Sequence, residues 1–400
     1  MGLGARVADA ETVAGIDLGS NSFHMIVVRR ERDGKIEVLD KIRSPVRLAA
    51  GLNEEREIDD AAMKRGWDAL ALMGERLRDL PDDRVRAVGT NTLRLAKNGG
   101  AFLERGRKLL GHPIETISGI EEARLIFLGV AHSDYVSSGK RFVMDIGGGS
   151  TEFIIGEGLE PVTAHSLYMG CVSFSQRYFG DGKLTTTNFD RAELAAAKEL
   201  RSIREGFRKI GWQHAFGASG TIRSVASVLR ESGWTNGTIT LDGLDRLVAT
   251  MIESRKISKL ALEGLDGDRM PVFAGGVAVL RAAFRSLGLE RMQAASGALR
   301  EGLAWELLGR SEDVDVRDKT VEAFMERYAV EVPHARRVEV TAVGLLSQVM
   351  DAWELDRARS ERFLRYAARL HEIGMSIAYS GYQKHDAYII ENATMPGFSR

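Results

Sequence analysis

The feature that most constrains this sequence is a glycine-rich turn that occurs twice. The first copy, AGIDLGSNS, covers residues 14–22, and the second, VMDIGGGS, covers residues 143–150. In each copy an apolar strand ends in an aspartate, which is followed by an aliphatic residue, glycine, two small or polar residues and serine. The two aspartates, Asp17 and Asp145, lie 128 positions apart. An internal repeat of this length indicates two related domains rather than a solenoid of short units.

The chemistry of the paired turns favours phosphate binding. Because glycine has no Cβ, several backbone N–H groups of such a turn can converge on one phosphate, and the serines add hydroxyl donors. An aspartate at the end of the preceding strand suits Mg²⁺, which prefers carboxylate and phosphate oxygens. An ordinary Asx turn explains a single copy equally well. Two matching copies favour a shared ligand, so Asp17 and Asp145 are candidate magnesium ligands.

Hydrophobic periodicity around the repeat predicts strands mixed with helices as far as about residue 309. Asp33-Gly34 predicts a hairpin after the second strand, and the Gly- and Thr-rich segment after Leu229 is predicted to be a loop. Helical periodicity alone continues from about residue 311, which places a domain boundary near Gly309-Arg310. Strands are predicted at 13–18, 23–28, from 35, and at 84–89, 114–117, 141–146, 152–155, 215–220 and 292–295. Helices are predicted at 59–80, after Arg94, and at 118–132, 190–210, 221–229, 273–287 and 299–308.

The helix that begins after Ser118 carries two adjacent glutamates. Ser118 and Glu121 have the spacing of a capping box, which gives Glu121 a structural role. Glu122 has two interpretations, a solvated first-turn carboxylate or a general base that faces a cleft. Arg94, after a Thr-Asn-Thr turn, is likewise either a solvated side chain or a bidentate phosphate ligand. Composition alone favours the solvated interpretation for both residues. Glu152, just after the second turn, is a candidate to assist the metal or to bind a backbone amide.

The helical tail contains a short histidine motif. His371-Glu372-Ile373-Gly374 resembles the His-Asp core of metal phosphohydrolases, with His334 and His385 as candidate companions. Glutamate replaces the usual aspartate, and no convincing fourth ligand follows. Ordinary helix packing is therefore the default interpretation, and a metal site is the alternative.

The overall composition excludes several classes of function. The 400 residues carry a formal net charge of −1, so no global positive field exists to attract a nucleic acid. The single cysteine, Cys171, rules out an intramolecular disulfide, which fits a reducing cytosol. No apolar run approaches the ~20 residues of a membrane helix, and the N-terminus lacks the apolar core of a secretory signal. We expect a cytoplasmic protein without a membrane span.

With these segments assembled, the sequence closely resembles the exopolyphosphatase and guanosine pentaphosphate phosphohydrolase family. The resemblance spans essentially the whole chain and implies an α/β fold of two duplicated actin-like (ribonuclease H-like) ATPase lobes, with the active site in the cleft between them. It also implies Mg²⁺-dependent hydrolysis of terminal phosphoanhydrides, K⁺ as an activator, and a homodimer. The segments that carry it lie at 14–28, 89–96, 117–132, 143–156, 168–179, 216–225 and 296–306.

The resemblance assigns expected roles to individual residues. The family's catalytic glutamate falls on Glu122, and a substrate-contacting arginine falls on Arg94. Asp145 matches the metal-associated aspartate of the turn, and Glu152 matches the acidic residue that follows it. The resemblance thus favours the functional interpretation of all four. The phosphate cradle matches Asn21, Ser22, Gly147, Gly148, Gly149 and Ser150.

The resemblance also implies three domains. These are actin-like lobe I at residues 1–138, actin-like lobe II at 139–309, and an all-helical His-Asp-like domain at 310–400. Family members of the long type continue well beyond the His-x-Ala-Tyr element at 385–388, whereas this chain ends at Arg400. We therefore expect the helical domain to be incomplete, which bears on long-chain polyphosphate binding and on the dimer.

The substrate is open between two kinds of polyphosphate. Residues 46–53, VRLAAGLN, resemble the guanosine pentaphosphatase branch, whereas residues 145–149 and 172–174 resemble the exopolyphosphatase branch. We expect an exopolyphosphatase that cleaves inorganic polyphosphate by in-line attack of water, with guanosine pentaphosphatase activity in the same site as the alternative. An actin-like kinase or ATPase, or a non-catalytic alarmone-binding regulator, would share the paired turns.

Overall fold

The chain divides into two units, residues 1–311 and residues 312–400. This division lies two residues beyond the boundary predicted near Gly309-Arg310. The computed structural model describes residues 11–32, 35–134, 136–310 and 315–398. The hairpin turn predicted at Asp33-Gly34 lies outside these residues.

The first unit contains two β-sheets, and the first sheet has five strands. They are β1 (Glu11–Leu18), β2 (Phe23–Arg30), β3 (Ile36–Ser44), β4 (Val85–Gly89) and β5 (Ile114–Thr116). The spatial order is β3-β2-β1-β4-β5. β1, β2 and β3 pair antiparallel, whereas β4 pairs in parallel with both β1 and β5. β1 and β2 are buried along most of their length, which explains their nearly continuous apolar sequence.

The second sheet repeats this arrangement and adds one edge strand. Its strands are β6 (Arg141–Ile146), β7 (Thr151–Glu157), β8 (Glu160–Leu167), β9 (His214–Gly217), β10 (Ile239–Thr240) and β11 (Arg291–Ala294). Their spatial order is β10-β11-β9-β6-β7-β8. β6, β7 and β8 pair antiparallel, and β9 pairs in parallel with β6 and β11. The order and the strand directions of the first sheet therefore recur, so the predicted duplication is confirmed.

The register of the two hairpins extends the duplication to single positions. Asp17 in β1 lies opposite His24 in β2, and Asp145 in β6 lies opposite Glu152 in β7. Both pairs sit next to the end of the strand, immediately before the glycine-rich turn. Two equivalent positions on neighbouring strands therefore carry a histidine in the first sheet and a glutamate in the second.

Ten helices of the first unit cover these sheets within the described residues. They are α1 (Asp60–Leu77), α2 (Asn91–Leu95), α3 (Gly99–Leu110), α4 (Gly119–Ser133), α5 (Cys171–Phe179), α6 (Thr186–Ile210), α7 (Gly220–Glu231), α8 (Leu241–Ser254), α9 (Met270–Leu287) and α10 (Leu299–Arg310). α1 and α3 pack on each other beside the first sheet, and α5 and α6 pack on α9 beside the second.

Two helices cross between the halves of the duplicated region. α4 follows the first sheet in sequence, yet it packs against β7 and β8 of the second sheet. α10 follows the second sheet, yet it packs against β1 and β2 of the first. The predicted lobe division at 138/139 therefore separates the two sheets, but a helix that covers each sheet comes from the other half of the sequence.

Glycine allows α4 and α10 to approach each other closely. A Cβ added at Gly302 would overlap the carbonyl oxygen of Leu125, and a Cβ added at Gly129 would overlap that of Ala298. Without side chains at these two positions, the helix backbones themselves come into contact. The crossing therefore requires glycine at residues 129 and 302.

A buried ion-pair cluster joins the same elements. Arg124 of α4 donates to Glu306 of α10 at 2.8 Å and to Glu121 at 2.7 and 2.8 Å, and Arg86 of β4 also pairs with Glu306. Glu121 therefore has a structural role, but it acts as an ion-pair partner of Arg124 and not through the predicted capping box. Its backbone N–H donates to the Ser118 hydroxyl at 3.1 Å, which confirms Ser118 as the helix cap.

The loop predicted after Leu229 is too long. α8 begins at Leu241, where Thr240 caps it by accepting a hydrogen bond from the backbone N–H of Gly243. The prediction was wrong because it relied on the Gly- and Thr-rich composition of the preceding turn. The stretch that follows has buried residues at helical spacing, which periodicity alone would have identified: Leu244, Leu247, Val248 and Met251. The strand β8 and the helix α5 also had no counterpart among the predicted elements.

Helix α9 is the most apolar helix of the first unit. Among the described residues it is the one helix long and apolar enough to cross a membrane, and 72% of that stretch is buried within the protein. Its side chains belong to the core that α5, α6 and the second sheet share. Packing within the second lobe therefore accounts for its composition.

The second unit is helical throughout its described residues, as the sequence predicts. Its helices are α11 (Val316–Arg327), α12 (Val332–Val349), α13 (Arg357–Leu370) and α14 (Tyr382–Asn392). Val321, Phe324, Tyr366, Leu370 and Ile389 form its core. This small core is supplemented by hydrogen-bonded ion pairs between α12 and α13.

The glycine crossing of α4 and α10 gives a direct test of the packing. We expect Gly302→Ala to lower the thermal unfolding midpoint, because a new methyl group in a filled space costs ~1–3 kcal/mol. Gly206→Ala in α6 is the matched control, since nothing lies within 4 Å of its Cβ position. That change should leave the midpoint unaltered or raise it, because replacing glycine at an unstrained position typically adds ~0.4–1 kcal/mol to the free energy of unfolding. Circular dichroism melts of the two variants measure the difference, and equal midpoints would contradict the packing described here.

Candidate active site

The two glycine-rich turns face each other across a cleft in the first unit. A Cβ added at Gly148 would lie 2.7 Å from the Cβ of Ser20, so the tips of the two turns are in contact. The cleft is lined by these turns, by the first turns of α4, α7 and α10, and by loop residues before α2 and α9. The residues that line it include Asp17, Asn21, Ser22, His24, Asn91, Glu122, Asp145, Gly147, Gly148, Ser150, Ser219, Arg223, Arg269 and Arg300.

Both turns have the same tight form. The backbone N–H of Gly147 donates to the carbonyl of Ser150 at 2.9 Å. A Cβ at Gly147 would lie 3.0 Å from that carbonyl oxygen, and a Cβ at Gly19 would lie 2.8 Å from the carbonyl oxygen of Ser22. Glycine is therefore needed at equivalent positions of the two turns because the chain folds back on itself there.

Three of the four acidic residues identified from the sequence, Asp17, Glu122 and Asp145, line the cleft, and the fourth, Glu152, is buried behind its lining. Asp17 and Asp145 end the central strands of the two sheets, Glu152 lies beside Asp145 on β7, and Glu122 enters from the first turn of α4. Glu122 is 8% exposed and Glu152 is fully buried. Within the described residues, Oδ1 of Asp17, Oε2 of Glu122 and Oε2 of Glu152 are buried without a hydrogen-bond partner. Buried polar atoms normally have partners, so these oxygens indicate a missing ligand.

Burial and mutual repulsion disfavour ionisation of these carboxyls. Burial raises the pKa of Asp17 to about 7, with Arg300 acting in the opposite direction, and burial raises the pKa of Glu152 to about 7 against hydrogen bonds from Ser166 and Ser150. The pKa values of Glu122 and Asp145 lie well above their usual range, first through burial and then through repulsion from Glu152. A bound cation would reverse both effects.

This donor set fits Mg²⁺. The unpartnered atoms are carboxylate oxygens, the ligands that magnesium prefers, and they lie beside turns suited to phosphate. These carboxylate oxygens are not close enough together to form a closed metal cage. Within the described residues, the one group of three ligand atoms that all lie within 4.8 Å of one another is in the second unit. An open arrangement is typical of Mg²⁺, which keeps water and substrate phosphates among its ligands.

Most residues of the predicted phosphate cradle lie at the surface of the cleft. Asn21, Ser22, Gly147, Gly148 and Ser150 line it. Gly149 lies behind the lining and packs against the Asn91 side chain, whose amide carbon would lie 3.3 Å from an added Cβ. The Ser22 hydroxyl and the amide nitrogen of Asn91 are buried without a partner among the described residues. They are additional donors for an anionic ligand.

Arg94, which was predicted to contact the substrate, does not reach into the cleft. One guanidinium nitrogen donates to the Ile117 carbonyl at 2.6 Å and lies 3.7 Å from Oε2 of Glu122. Its side chain is not among those that line the cleft. In this arrangement Arg94 contacts the glutamate, and its charge opposes the rise in the Glu122 pKa.

Three arginines that sequence reasoning had not selected form the basic side of the cleft. Arg223 lies in the first turn of α7, Arg269 precedes α9, and Arg300 lies in the first turn of α10. Burial lowers the pKa of Arg223 and of Arg269. Within the described residues no carboxylate oxygen lies within 4 Å of either guanidinium. Half-buried arginines without carboxylate partners are suited to bind phosphate.

The turn before α7 supports this basic side. Ser219 has a φ of 115°, a conformation that side-chain-bearing residues rarely adopt, and its hydroxyl caps the helix by accepting from the N–H of Ile222. The guanidinium of Arg269 packs directly on Gly220, where any side chain would overlap it. The sequence GASG at 217–220 precedes the N-terminus of α7, where anions commonly bind, and Arg223 lies one helical turn beyond Ser219.

His24 is a further cleft residue that the sequence analysis did not select. Its Nδ1 lies 2.9 Å from a guanidinium nitrogen of Arg300 and accepts a hydrogen bond from it, because arginine has no acceptor. Burial and the nearby arginines lower the pKa of His24 to about 3. His24 is therefore neutral at physiological pH, and it occupies the position that Glu152 occupies in the second sheet. The duplicated turn, which gave Glu152, would also have given His24 had the two copies been aligned residue by residue.

Family comparison covers nearly the whole chain. Residues 27–311 match the Ppx/GppA phosphatase family, and residues 316–400 match the third domain of Ppx/GppA phosphatases. The two matches meet at the division between the two units.

Two curated relatives are similar over most of their length. A guanosine-5′-triphosphate,3′-diphosphate pyrophosphatase from Aeromonas hydrophila is 46% identical over 386 residues, which are 96% of this chain and 77% of the relative. One of the same name from Vibrio cholerae is 44% identical over 397 residues, 99% of this chain and 79% of the relative. These identities extend through both units.

Solved structures confirm the fold class. A Ppx/GppA family member from Aquifex aeolicus has a TM-score of 0.64 at 24% identity, covering 76% of this chain and 99% of its own. An exopolyphosphatase from Cytophaga hutchinsonii has a TM-score of 0.66 at 22% identity, covering 75% and 98%. At these identities the likeness concerns the fold, and the predicted duplicated actin-like lobes followed by a helical domain are confirmed.

The raised carboxyl pKa values predict that stability without Mg²⁺ falls as the pH rises. Asp17 is shifted from 3.8 to about 7 and Glu152 from 4.5 to about 7, so between about pH 4 and 7 the folded chain holds protons that the unfolded chain has lost. Mg²⁺ requires ionised carboxylates, and its stabilisation should therefore be larger at about pH 8 than at about pH 5. Thermal melts with and without Mg²⁺ at both pH values measure this.

Glu152→Gln is the control for that experiment, because it removes one of the titrating carboxyls. The variant should lose less stability between about pH 5 and pH 8 in the absence of Mg²⁺. An equal Mg²⁺-induced rise in the melting midpoint of the unmodified chain at both pH values would contradict the assignment of these carboxyls to the metal.

Proposed function

This chain belongs to the Ppx/GppA phosphatase family, and from that premise we propose that it is a phosphoanhydride hydrolase that removes the terminal 5′-phosphate of guanosine pentaphosphate. The observation that carries the proposal is the cleft itself. Buried carboxylate oxygens without partners lie on one side, and guanidinium groups without carboxylate partners lie on the other. A metal-bound polyphosphate chain would satisfy both sides at once.

Glu122 is the proposed general base. It enters the cleft from the first turn of α4, and its pKa is raised well above the usual range by burial and by Glu152. A base with a pKa closer to neutral is more effective at removing a proton from water at physiological pH. The proton of the attacking water would pass to the Glu122 carboxylate as the water oxygen attacks the terminal phosphorus. The bond from that phosphorus to the bridging oxygen would break, which releases phosphate and guanosine tetraphosphate. Arg94, 3.7 Å from Oε2, would hold this carboxylate in position.

The turns and the arginines are the proposed phosphate-binding groups. The backbone N–H groups of the turn beyond Gly147, together with the donors of Ser22 and Asn91, would bind oxygens of the transferred phosphoryl group. Arg223, Arg269 and Arg300 would bind the remainder of the phosphate chain. Mg²⁺, held by Asp145 with Asp17 and Glu152, would offset the negative charge of the terminal phosphates. We include K⁺ as a proposed activator.

The relatives favour a guanosine polyphosphate over inorganic polyphosphate as the main substrate. The curated relatives from Aeromonas and Vibrio are both named for guanosine-5′-triphosphate,3′-diphosphate hydrolysis, and the chain is 46% and 44% identical to them. The preference for inorganic polyphosphate inferred from residues 145–149 and 172–174 rested on short segments. We therefore place the pentaphosphate first and keep exopolyphosphatase activity in the same site as the second candidate.

Two exposed ion pairs support the second candidate, and Arg43 of one pair lies near enough to the cleft residues His24 and Arg269 to lower their pKa values. Arg43 lies 3.6 Å from Asp266, and Arg47 lies 3.2 Å from Asp268, and all four side chains are well exposed. Exposed pairs of this kind contribute little stability, so a passing phosphate chain can replace the aspartates at small cost. A longer inorganic polyphosphate would reach these arginines.

Substrate preference can be measured by phosphate release. We expect the purified chain, with Mg²⁺ and K⁺, to release phosphate from guanosine pentaphosphate with a higher kcat/KM than from inorganic polyphosphate or ATP. A higher value for polyphosphate would make the second candidate the main activity. Transfer of phosphate from ATP to an acceptor would instead support a kinase, and binding without release would support a regulator.

The role of Glu122 is tested by Glu122→Gln. Loss of a general base should lower kcat by ~10²- to 10⁴-fold with little change in KM, and the acidic limb of the pH–rate profile should disappear. In the unmodified chain that limb should show the rate increasing with pH, since the base must be ionised. Glu104→Gln on the exposed face of α3 is the control and should leave kcat unchanged. Near-normal turnover by the folded Glu122→Gln variant would exclude the proposed base.

A further inference from the structure

The second unit brings together three side chains with metal-binding atoms. His334 lies in the first turn of α12, and His371 and Glu372 directly follow α13. Each offers one ligand atom, and these atoms all lie within 4.8 Å of one another. We propose that His334, His371 and Glu372 form a binding site for a divalent transition metal, with Zn²⁺ as its best match.

The donor set decides the class of metal. Two imidazole nitrogens and one carboxylate oxygen are a common ligand set for zinc, which binds them in tetrahedral geometry. Mg²⁺ and Ca²⁺ prefer oxygen ligands alone, so a set with two imidazole nitrogens would bind them weakly. Three protein ligands leave the fourth position to water or to an anionic oxygen.

His371 is held in the orientation that metal binding requires. Its Nδ1 lies 2.7 Å from the carbonyl oxygen of Ala368. A carbonyl only accepts hydrogen bonds, so Nδ1 carries the ring proton and Nε2 keeps a free lone pair. Nε2 lies on the cluster side, 3.6 Å from Oε1 of Glu372. Metal-bound histidines usually have their second nitrogen bonded to a carbonyl or carboxylate in this way.

His334 must change its ring tautomer before it can bind a metal. Its Nε2 lies 3.4 Å from Oε1 of Glu372, and its Nδ1 lies 3.1 Å from a guanidinium nitrogen of Arg337. Arginine only donates, so Nδ1 accepts and the ring proton resides on Nε2. Metal binding through Nε2 requires that proton to move to Nδ1 and Arg337 to leave. Arg337 is exposed and free to do so, but its charge and its hydrogen bond compete with the metal.

The helices that carry the three residues are fixed to each other. Glu339 of α12 accepts hydrogen bonds from Arg365 at 2.6 Å and from Arg369 at 2.8 Å, both on α13. Asp386 of α14 accepts from the backbone N–H of Gly374 at 2.6 Å and so fixes the turn after Glu372. Supporting hydrogen bonds of this kind preorganise a site and raise its affinity.

His385, the other companion considered from the sequence, is not part of this group. Its neighbour Asp386 faces the turn after Glu372 and is occupied by the Gly374 N–H. His385 therefore offers a matched control, since it is a histidine of the same unit that lies outside the proposed site.

Titration calorimetry with Zn²⁺ tests the proposal on the full chain. The chain is first freed of metals with a chelator and then titrated in excess Mg²⁺, which occupies the carboxylates of the cleft. We expect saturable binding of one Zn²⁺ that is abolished or weakened by more than ~10- to 100-fold in His371→Ala and His334→Ala, the range that loss of an outer partner alone produces. His385→Ala should bind as the unmodified chain does.

Arg337→Ala gives the sharpest result, because it leaves all three ligands in place. Removal of the competing guanidinium should strengthen Zn²⁺ binding, and Co²⁺ bound in place of zinc should show the intense visible absorption of a tetrahedral site. No saturable Zn²⁺ binding, equal loss in His385→Ala and His371→Ala, or weaker binding in Arg337→Ala would each overturn the proposal. Circular dichroism checks that every variant is folded, and if His371→Ala is not, Arg337→Ala and Glu372→Gln decide.

Discussion

Repulsion among the buried carboxylates of one cleft is the interaction on which the rest of this structure depends. Asp17, Glu122, Asp145 and Glu152 come from two sheets and a crossing helix, and burial raises the pKa of each. Such a group is costly unless a cation and its anionic ligand complete it. The glycine contact between α4 and α10 and the ion pairs that hold Glu121 fix the helix that delivers Glu122. The packing directly beside the cleft therefore holds these carboxylates together despite their repulsion.

Duplication supplied the geometry of the site, and divergence supplied its chemistry. The same tight turn follows Asp17 and Asp145 and closes around the same glycine position. At the equivalent positions on the neighbouring strands, the first sheet has neutral His24 bonded to Arg300, and the second has buried Glu152. At this position the first lobe therefore has a hydrogen-bond partner for arginine, and the second lobe has a candidate ligand for a cation. A single symmetric pair of turns would not separate these roles.

The sequence predicted the strands and turns of the site well because their signals are local. The Asp-x-Gly pattern, the Ser118 cap and the apolar runs of β1 and β6 each act within a few residues. It predicted less where tertiary packing decides. No local sequence pattern indicates that α10 packs on the first sheet. The contact of the Arg269 guanidinium with Gly220 and the hydrogen bond from Arg94 to the Ile117 carbonyl also have no local signal. The proximity of His334 to His371 likewise depends on how α12 and α13 pack. The sequence offered His385 as an equal candidate, and only the structure shows that it lies outside the group.

The measurement that tests the central claim most directly is the position of the cation with a substrate bound. Crystals of the Glu122→Gln variant with guanosine pentaphosphate and Mn²⁺ in place of Mg²⁺ would locate the metal by its anomalous scattering. The account predicts Mn²⁺ between the two glycine-rich turns, about 2.1 Å from a carboxylate oxygen of Asp145 or bound to it through water, and in contact with the terminal phosphates. A metal that binds the phosphates away from Asp17, Asp145 and Glu152, or a phosphate chain outside the two turns, would contradict it.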